Sequence, residues 1–346
     1  MELLPIPLSF STRSALVVAL LLAGPAMAAD AEDCASNAPA VSIPACTRII
    51  EQARDPNDKI AEAFANRGKA YMLQNEFDRA IADLDEALLR KPTHGDARYN
   101  RGVVYLQTGQ NNNALADFNE AIRLYPRDAE TRFARGRTYL AMGQTDRAIA
   151  DFDATIGIDP RHVDALISRG AVYGMKGQPK QAFKDYNEAL RLDPGNSDAY
   201  SNRGGLYLMT SRFREAIADL DQAIKLAPDN EMAYLNRGMS YFFQQQYDRA
   251  ITDFDKALQL NPQSAHLHVQ RGTAYFFKKQ PDQALADLNE AIRLDSGSLQ
   301  AYKLRSVILN GLGRRDEAIA DLRKALELNP SDKSVKKNLK ELGAMP

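Results

Sequence analysis

From residue 61 onward, apolar and polar positions recur with helical spacing, in short blocks that return in the same order. In "REAIADLDQAIKL" at 214–226, Ala216, Leu220 and Ala223 fall at i, i+4 and i+7, one face of a helix. A second kind of block precedes it, built on R-G-x-x-Y, as in "NRGGLY" at 202–207. Prolines at 92, 126, 160, 194, 228, 262 and 330 follow the second block of most pairs. Proline lacks the N–H to continue a helix and suits the start of the next. The pattern predicts an all-α chain of helix pairs, a helix A followed by a helix B.

The pairs repeat with a fixed period. Arg67, Arg101, Arg135, Arg169, Arg203, Arg237, Arg271 and Arg305 are each 34 residues apart, the mark of a stacked array. With Ala61 as position 1, eight units run 61–94, 95–128, 129–162, 163–196, 197–230, 231–264, 265–298 and 299–332. A glycine follows the arginine in all but the last, mid-helix, where each costs up to ~1 kcal/mol relative to alanine. Close packing of helix B must return that cost. The residue expected to face each glycine is small, Ala80 in the first unit and its equivalents through Ala318, with the tyrosines from Tyr71 to Tyr275 filling the volume beside them.

These motifs resemble the tetratricopeptide repeat: Gly at position 8, Tyr at 11, Ala at 20, an aromatic or Leu at 24, Ala at 27 and Pro at 32, over residues 61–332. Departures are Thr155, Ser296, and Ser306 with Leu309 in the end unit. The resemblance implies an α-solenoid of eight tandem helix pairs forming a right-handed superhelix, with helix A lining an inner groove that binds a peptide or protein. No enzyme and no cofactor are expected, since no catalytic or cofactor-binding motif appears.

The arginine departs from the apolar residue usual at this site of the family, and it has a companion. Asp83, Asp117, Asp151, Asp185, Asp219, Asp253, Asp287 and Asp321 recur in the same register on helix B. One Arg–Asp contact per unit is expected, within a repeat or across to the next. It reads as a structural ladder or as an internal charged track.

Position 6 of helix A, which tends to face the groove in this family, holds Asn66, Asn100, Asn202, Asn236 and Gln270. An amide both donates and accepts, so a column of them can hold an extended chain, or serve as local helix-to-helix bonds. Position 2 carries Glu62, Asp96, Glu130, Asp164 and Asp198, read as an acidic rim or as acids placed at helix N-termini. Positions 5 and 9 hold Ala65 and Lys69, then Tyr99 and Val103, so a basic carboxylate clamp is not expected. "NRGMSYFF" at 236–243 and "QRGTAYFF" at 270–277 bring in Phe242, Phe243, Phe276 and Phe277. With Met232, Leu235, Met239 and Val269 they form an apolar groove patch, or one Phe of each pair is core. Aromatics and methionine are favoured anchors for partners.

Charge and composition narrow the partners. The 346 residues hold 44 Lys+Arg and 45 Asp+Glu, a net charge of -1 with no basic stripe, which argues against nucleic acid. Residues 1–28 carry Arg13, an uncharged run and the A-x-A pattern Ala26-Met27-Ala28, and read as a secretory signal peptide, shorter in its apolar core than a spanning helix. The expected location is the bacterial periplasm, with no membrane insertion after cleavage. Cys34 and Cys46 then form an even pair in an exported chain, read as a disulfide within an N-terminal cap at 29–60. "VSIPACTRIIEQA" at 41–53 reads as a lone helix B covering the first repeat, and 333–346 as a basic amphipathic solvating helix.

No motif for chemistry is present. His94 and His162 fall near repeat junctions, and His266 and His268, two apart, point to different sides of a helix, so no metal site is expected. The expected function is a non-enzymatic envelope scaffold holding an extended protein segment in its groove. The rival is an architectural or self-associating subunit that uses its outer or end surfaces.

Overall fold

A computed structural model of the chain describes residues 25–52 and 57–344, so the signal-peptide expectation falls almost wholly outside the described residues. Among the described residues there are nineteen helices and no strand. The first nine are α1 (Pro25–Cys34), α2 (Pro39–Gln52), α3 (Asn57–Leu73), α4 (Phe77–Arg90), α5 (Gly95–Gln107), α6 (Asn111–Leu124), α7 (Ala129–Ala141), α8 (Thr145–Ile158) and α9 (Val163–Met175). They are followed by α10 (Pro179–Leu192), α11 (Ser197–Met209), α12 (Phe213–Leu226), α13 (Glu231–Phe243), α14 (Tyr247–Leu260), α15 (Ala265–Phe277), α16 (Pro281–Leu294), α17 (Leu299–Gly311), α18 (Arg315–Leu328) and α19 (Lys333–Glu341). The chain is an α-solenoid whose helix pairs keep the 34-residue register. It divides into two compact units, one ending at Arg169 and one beginning at Gly170.

In the first unit the pairs are α3/α4, α5/α6 and α7/α8. Their close approach depends on the helix A glycines, though not through the alanines alone. A Cβ on Gly136 would lie 2.7 Å from the Phe152 ring, and one on Gly68 would meet Leu84 at 2.8 Å and the Ala80 carbonyl at 3.1 Å. Helical side chains lean toward the helix N-terminus. The residue at position 24 therefore covers the turn that bears the alanine, and its side chain fills the space that glycine leaves. Phe118, Phe152, Ala80, Ala114 and Ala148 are fully buried as a result.

The arginine ladder bonds both within a repeat and across to the preceding one. Arg135 donates through Nε and Nη2 to Asp151 at 2.8 and 2.7 Å, and through Nη1 to Asn119 of the preceding helix B at 2.7 Å. Arg101 likewise grips Asp117 (2.8 and 2.6 Å) and reaches back to Asp85. Arg169 reaches back to Asp153 at 2.6 Å. The hydrogen bonds that Arg101 donates to Asp117 raise its guanidinium above its ordinary pKa, against the opposing effect of burial. Arg101 and Arg135 thus each pin their own helix B and the one before it.

The N-terminal cap is a helix pair, not the lone helix expected from 41–53. Helices α1 and α2 are joined by the Cys34–Cys46 disulfide, with Cα atoms 4.7 Å apart. Thr47 on α2 accepts from Arg67 Nη1 at 3.0 Å, so the cap supplies the contact that a preceding repeat would make. Beyond the disulfide, α1 is tied to α2 by the Ser42 hydroxyl, which donates to the Cys34 carbonyl at 2.7 Å, and by Arg48, which donates to Asp30.

The second unit pairs α11/α12, α13/α14, α15/α16 and α17/α18. Its ladder continues as Arg203–Asp219, Arg237–Asp253, Arg271–Asp287 and Arg305–Asp321, with Nη1 reaching back to Asn187, Asp221, Asp255 and Asn289 at 2.6–2.7 Å. Arg169 and Asp185, the remaining members of the register, belong to different units. Helix α19 closes the stack as expected. Val335 and Leu339 are buried against Tyr302, Leu322 and Ala325, and Asp332 caps the helix by accepting from the Ser334 and Val335 amides.

Each A–B turn follows one plan, seen in the bonds from Gln144 N–H to the Tyr139 carbonyl (2.8 Å) and from Gln246 N–H to the Tyr241 carbonyl (2.9 Å). Such a helix end places one residue in the left-handed region, where glycine is least strained. Gly109, Gly143, Gly177 and Gly313 occupy it, but Asn75, Ser211, Gln245 and Lys279 do so with positive φ of 59–62°. Three of these four side-chain-bearing turns are consecutive.

Candidate functional site

Those three consecutive turns carry the most distinctive surface of the second unit. Helices α13 and α15 end in Phe242-Phe243 and Phe276-Phe277. The structure brings the four rings together: Phe242 meets Phe243 at 5.6 Å and Phe277 at 5.3 Å, both edge-on, and Phe276 meets Phe277 at 5.5 Å. Phe242 and Phe276 are half-buried at the rim of the core, whereas Phe243 and Phe277 are 52% and 51% exposed.

Two further rings complete the cluster. Phe213, the first residue of α12, stacks on Phe243 with centroids 5.3 Å apart and planes 14° apart. Tyr247, the first residue of α14, stacks on Phe277 at 5.9 Å and touches Phe242 at 5.6 Å. Both stand at position 17, the start of helix B, and each stacks on position 13 of the following repeat. Reading down position 13 adds Met175 and Met209, 46% and 71% exposed. Phe213 and Tyr247 stand on helix B, outside the helix A positions expected to form the groove, whereas Met175 and Met209 were legible in the register of position 13.

Beside the rings lies an open hollow of about 680 Å3, lined by Ser211–Glu215 and Phe243–Gln245. Arg212 pairs with Glu215 at 2.9 Å and sits 4.5 Å from the Tyr207 ring. Arg214 shares the hollow, exposed and close enough to Glu215 for its charge to act on that carboxylate. On the next turn Lys278 bonds Asp248. The arrangement offers flat apolar surface next to cationic groups. It holds no cluster of metal-binding side chains among the described residues.

The other residues expected to form a site lie elsewhere. Asn66 points at the disulfide, 3.9 Å from Cys34 Sγ. Asn100 is buried, Asn202 donates to the Asp198 carbonyl of its own helix at 2.8 Å, and Gln270 is buried against His266 at 3.4 Å. Asn236 leans on the preceding helix A, where a Cβ on Gly205 would lie 3.3 Å from its Nδ2. Met239 packs with Ile251 and Phe254 in the core. Of the position-2 acids, Glu62 approaches His94 Nε2 at 3.1 Å, and hydrogen bonding to that ring draws the carboxyl below its usual range. His94 and His162 each accept a helix N-terminal amide, from Ala97 and Ala165. Among the described residues no helix is long and apolar enough to cross a membrane.

The chain matches a tetratricopeptide repeat model over residues 66–129, 133–197 and 269–333, and two further tetratricopeptide repeat models over 232–264 and 175–236. No curated protein matches it significantly. Among solved structures it resembles a chain of the APC/C hetero-tetramer Cut9-Hcn1, with TM-score 0.62 and 20% identity over 86% of this chain and 58% of that one. The chain therefore spans little more than half the length of that relative. PilF of Pseudomonas aeruginosa aligns at TM-score 0.56 and 22% identity, covering 62% of this chain and 99% of its own. PilW, a type IV pilus biogenesis factor, aligns at TM-score 0.58 and 18% identity, covering 61% and 98%. At these identities the likeness is one of fold.

Proposed function

This chain belongs to the tetratricopeptide repeat family, and we propose that it is a non-enzymatic scaffold of the cell envelope that holds a segment of another protein against the aromatic edge of its second unit. Repeat folds of this family generally serve protein–protein interaction, and none of the residues above is arranged for catalysis. The observation that carries the site is the six-ring cluster with Phe243 and Phe277 half-exposed. Large rings left in water cost hydrophobic free energy unless a partner covers them, and aromatic residues dominate the energetics of interfaces. The amides of position 6 support the reading less, since most are covered or bonded locally. Envelope residence is supported by the signal-like residues 1–28 and by the buried disulfide, which suits an oxidising compartment.

The test is site-specific crosslinking in cells. A photoreactive phenylalanine analogue at 243 or 277 is expected to give a discrete adduct with another protein, and the same analogue at the 76%-exposed Leu89 to give none. No adduct from either ring position, or the same adduct from Leu89, contradicts the assignment. A mature N-terminus at residue 29, read by mass spectrometry, checks the export step.

A further inference from the structure

Position 13 of helix A carries Met175, Met209, Phe243 and Phe277 in four consecutive repeats, all at least 46% exposed, and the run stops at Gly311. An unbroken apolar column of this kind, half methionine and half phenylalanine, suits adaptable contact with side chains of varied shape. Its border is not neutral. The hollow next to Phe243 holds two guanidiniums, Arg212 and Arg214, and one carboxylate, Glu215, which is already bonded to Arg212. Arg214 is left to face an incoming anion.

We infer that this edge receives an acidic segment of another protein, whose carboxylates meet Arg214 and whose apolar side chains sit along the column. The inference rests on the binding reading above and adds the chemistry of the partner. Successive first helices of a stack pack ~10 Å apart. Three residues of polyproline II chain make one turn and cover about the same distance, so every third side chain returns to one face. An apolar residue at every third position, with acids between, therefore matches the column. A second copy of this chain fits less well: an isologous contact brings the same patch, two guanidiniums to one carboxylate, against itself.

The test uses three labelled synthetic peptides and fluorescence anisotropy on the full mature chain. One has phenylalanine at every third position with Asp and Glu between; the second replaces the acids with lysine; the third replaces the phenylalanines with serine. The first is expected to bind, and the lysine and serine forms to bind about tenfold or more weakly. Arg214→Glu, an exposed substitution, is expected to weaken the first peptide about five- to tenfold without moving the thermal midpoint. Met209→Ala with Phe243→Ala is expected to weaken it further. Equal binding of the acidic and lysine peptides, or no effect of Arg214→Glu, overturns the acidic partner while leaving the aromatic edge in place. Failure of all three peptides to bind overturns both. Dimers in light scattering that disappear in the Met209/Phe243 variant assign the face to self-association and overturn the inference.

Discussion

Repeats two and three of the first unit and repeats five to seven of the second are both rich in aromatic residues, yet dispose of them in opposite ways. In the first region Tyr99 and Phe133, at position 5, lie against the core rings Phe118 and Phe152 at 6.2 and 5.8 Å. The helix A face there is closed to a cavity of about 10 Å3, and burial lowers the Arg137 guanidinium beneath its ordinary pKa. In the second region the rings stand at positions 12, 13 and 17, and two of them, Phe213 and Phe243, line an open hollow of about 680 Å3. The same helix pair therefore makes core or surface from phenylalanine according to register. Even the turns differ: Gly109 and Gly143 in one region, Ser211, Gln245 and Lys279 at positive φ in the other. The second region keeps side chains where glycine would be less strained, as expected if its edge is selected for contact rather than for stability alone.

That contrast can be broken most sharply by truncating one ring in each region. Phe133→Ala is expected to cost ~3–5 kcal/mol by leaving a cavity, whereas Phe243→Ala should cost about 1 kcal/mol or less. Denaturant titration reads both, and equal costs would erase the distinction. The ladder is the control, because it is common to both regions. Asp117→Ala and Asp253→Ala should each cost ~3 kcal/mol or somewhat more, since each leaves an arginine without its buried partner; a large difference between them would show that the two stacks are held by different forces.

The turns come next. Gln245→Gly should stabilise the chain by up to ~1 kcal/mol and Gly143→Ala should destabilise it by about as much, both measured as shifts in the thermal midpoint. The smallest effect is at the C-terminal end. Hydrogen bonds from Lys303, Ser334 and Val335 hold the Asp332 carboxyl well below its usual range. A carboxyl with a depressed folded-state pKa contributes stability above its unfolded value of about 3.9 and loses it as pH falls further. Amide exchange in α19 should therefore speed up selectively below that pH, and Asp332→Asn should remove the dependence.

The sequence made the fold readable because one period governs it: Arg67 to Arg305 fix the pairs, their order and the ladder's members. It also displayed Phe242, Phe243, Phe276 and Phe277 as an apolar patch. The contacts that depend on neighbouring repeats were hidden. Phe213 on Phe243 and Tyr247 on Phe277 stack only because successive repeats lie side by side, a relation that no single repeat contains. Asn236 looked like a groove amide by position, but its amide leans into the space left by Gly205 one repeat earlier. The extra helix of the N-terminal cap, α1, was missed because it begins inside the leader pattern at Pro25 and its second half, with Asp30, Glu32 and Asp33, shows no apolar periodicity.

The most direct test of the central claim is hydrogen–deuterium exchange of the full mature chain with and without the acidic phenylalanine peptide. The account predicts slowed exchange around the turns at 207–215, 241–249 and 275–281, with the rest of the stack unchanged. Protection confined to the helix A faces around Asn100, Phe133 and Arg137 would contradict it.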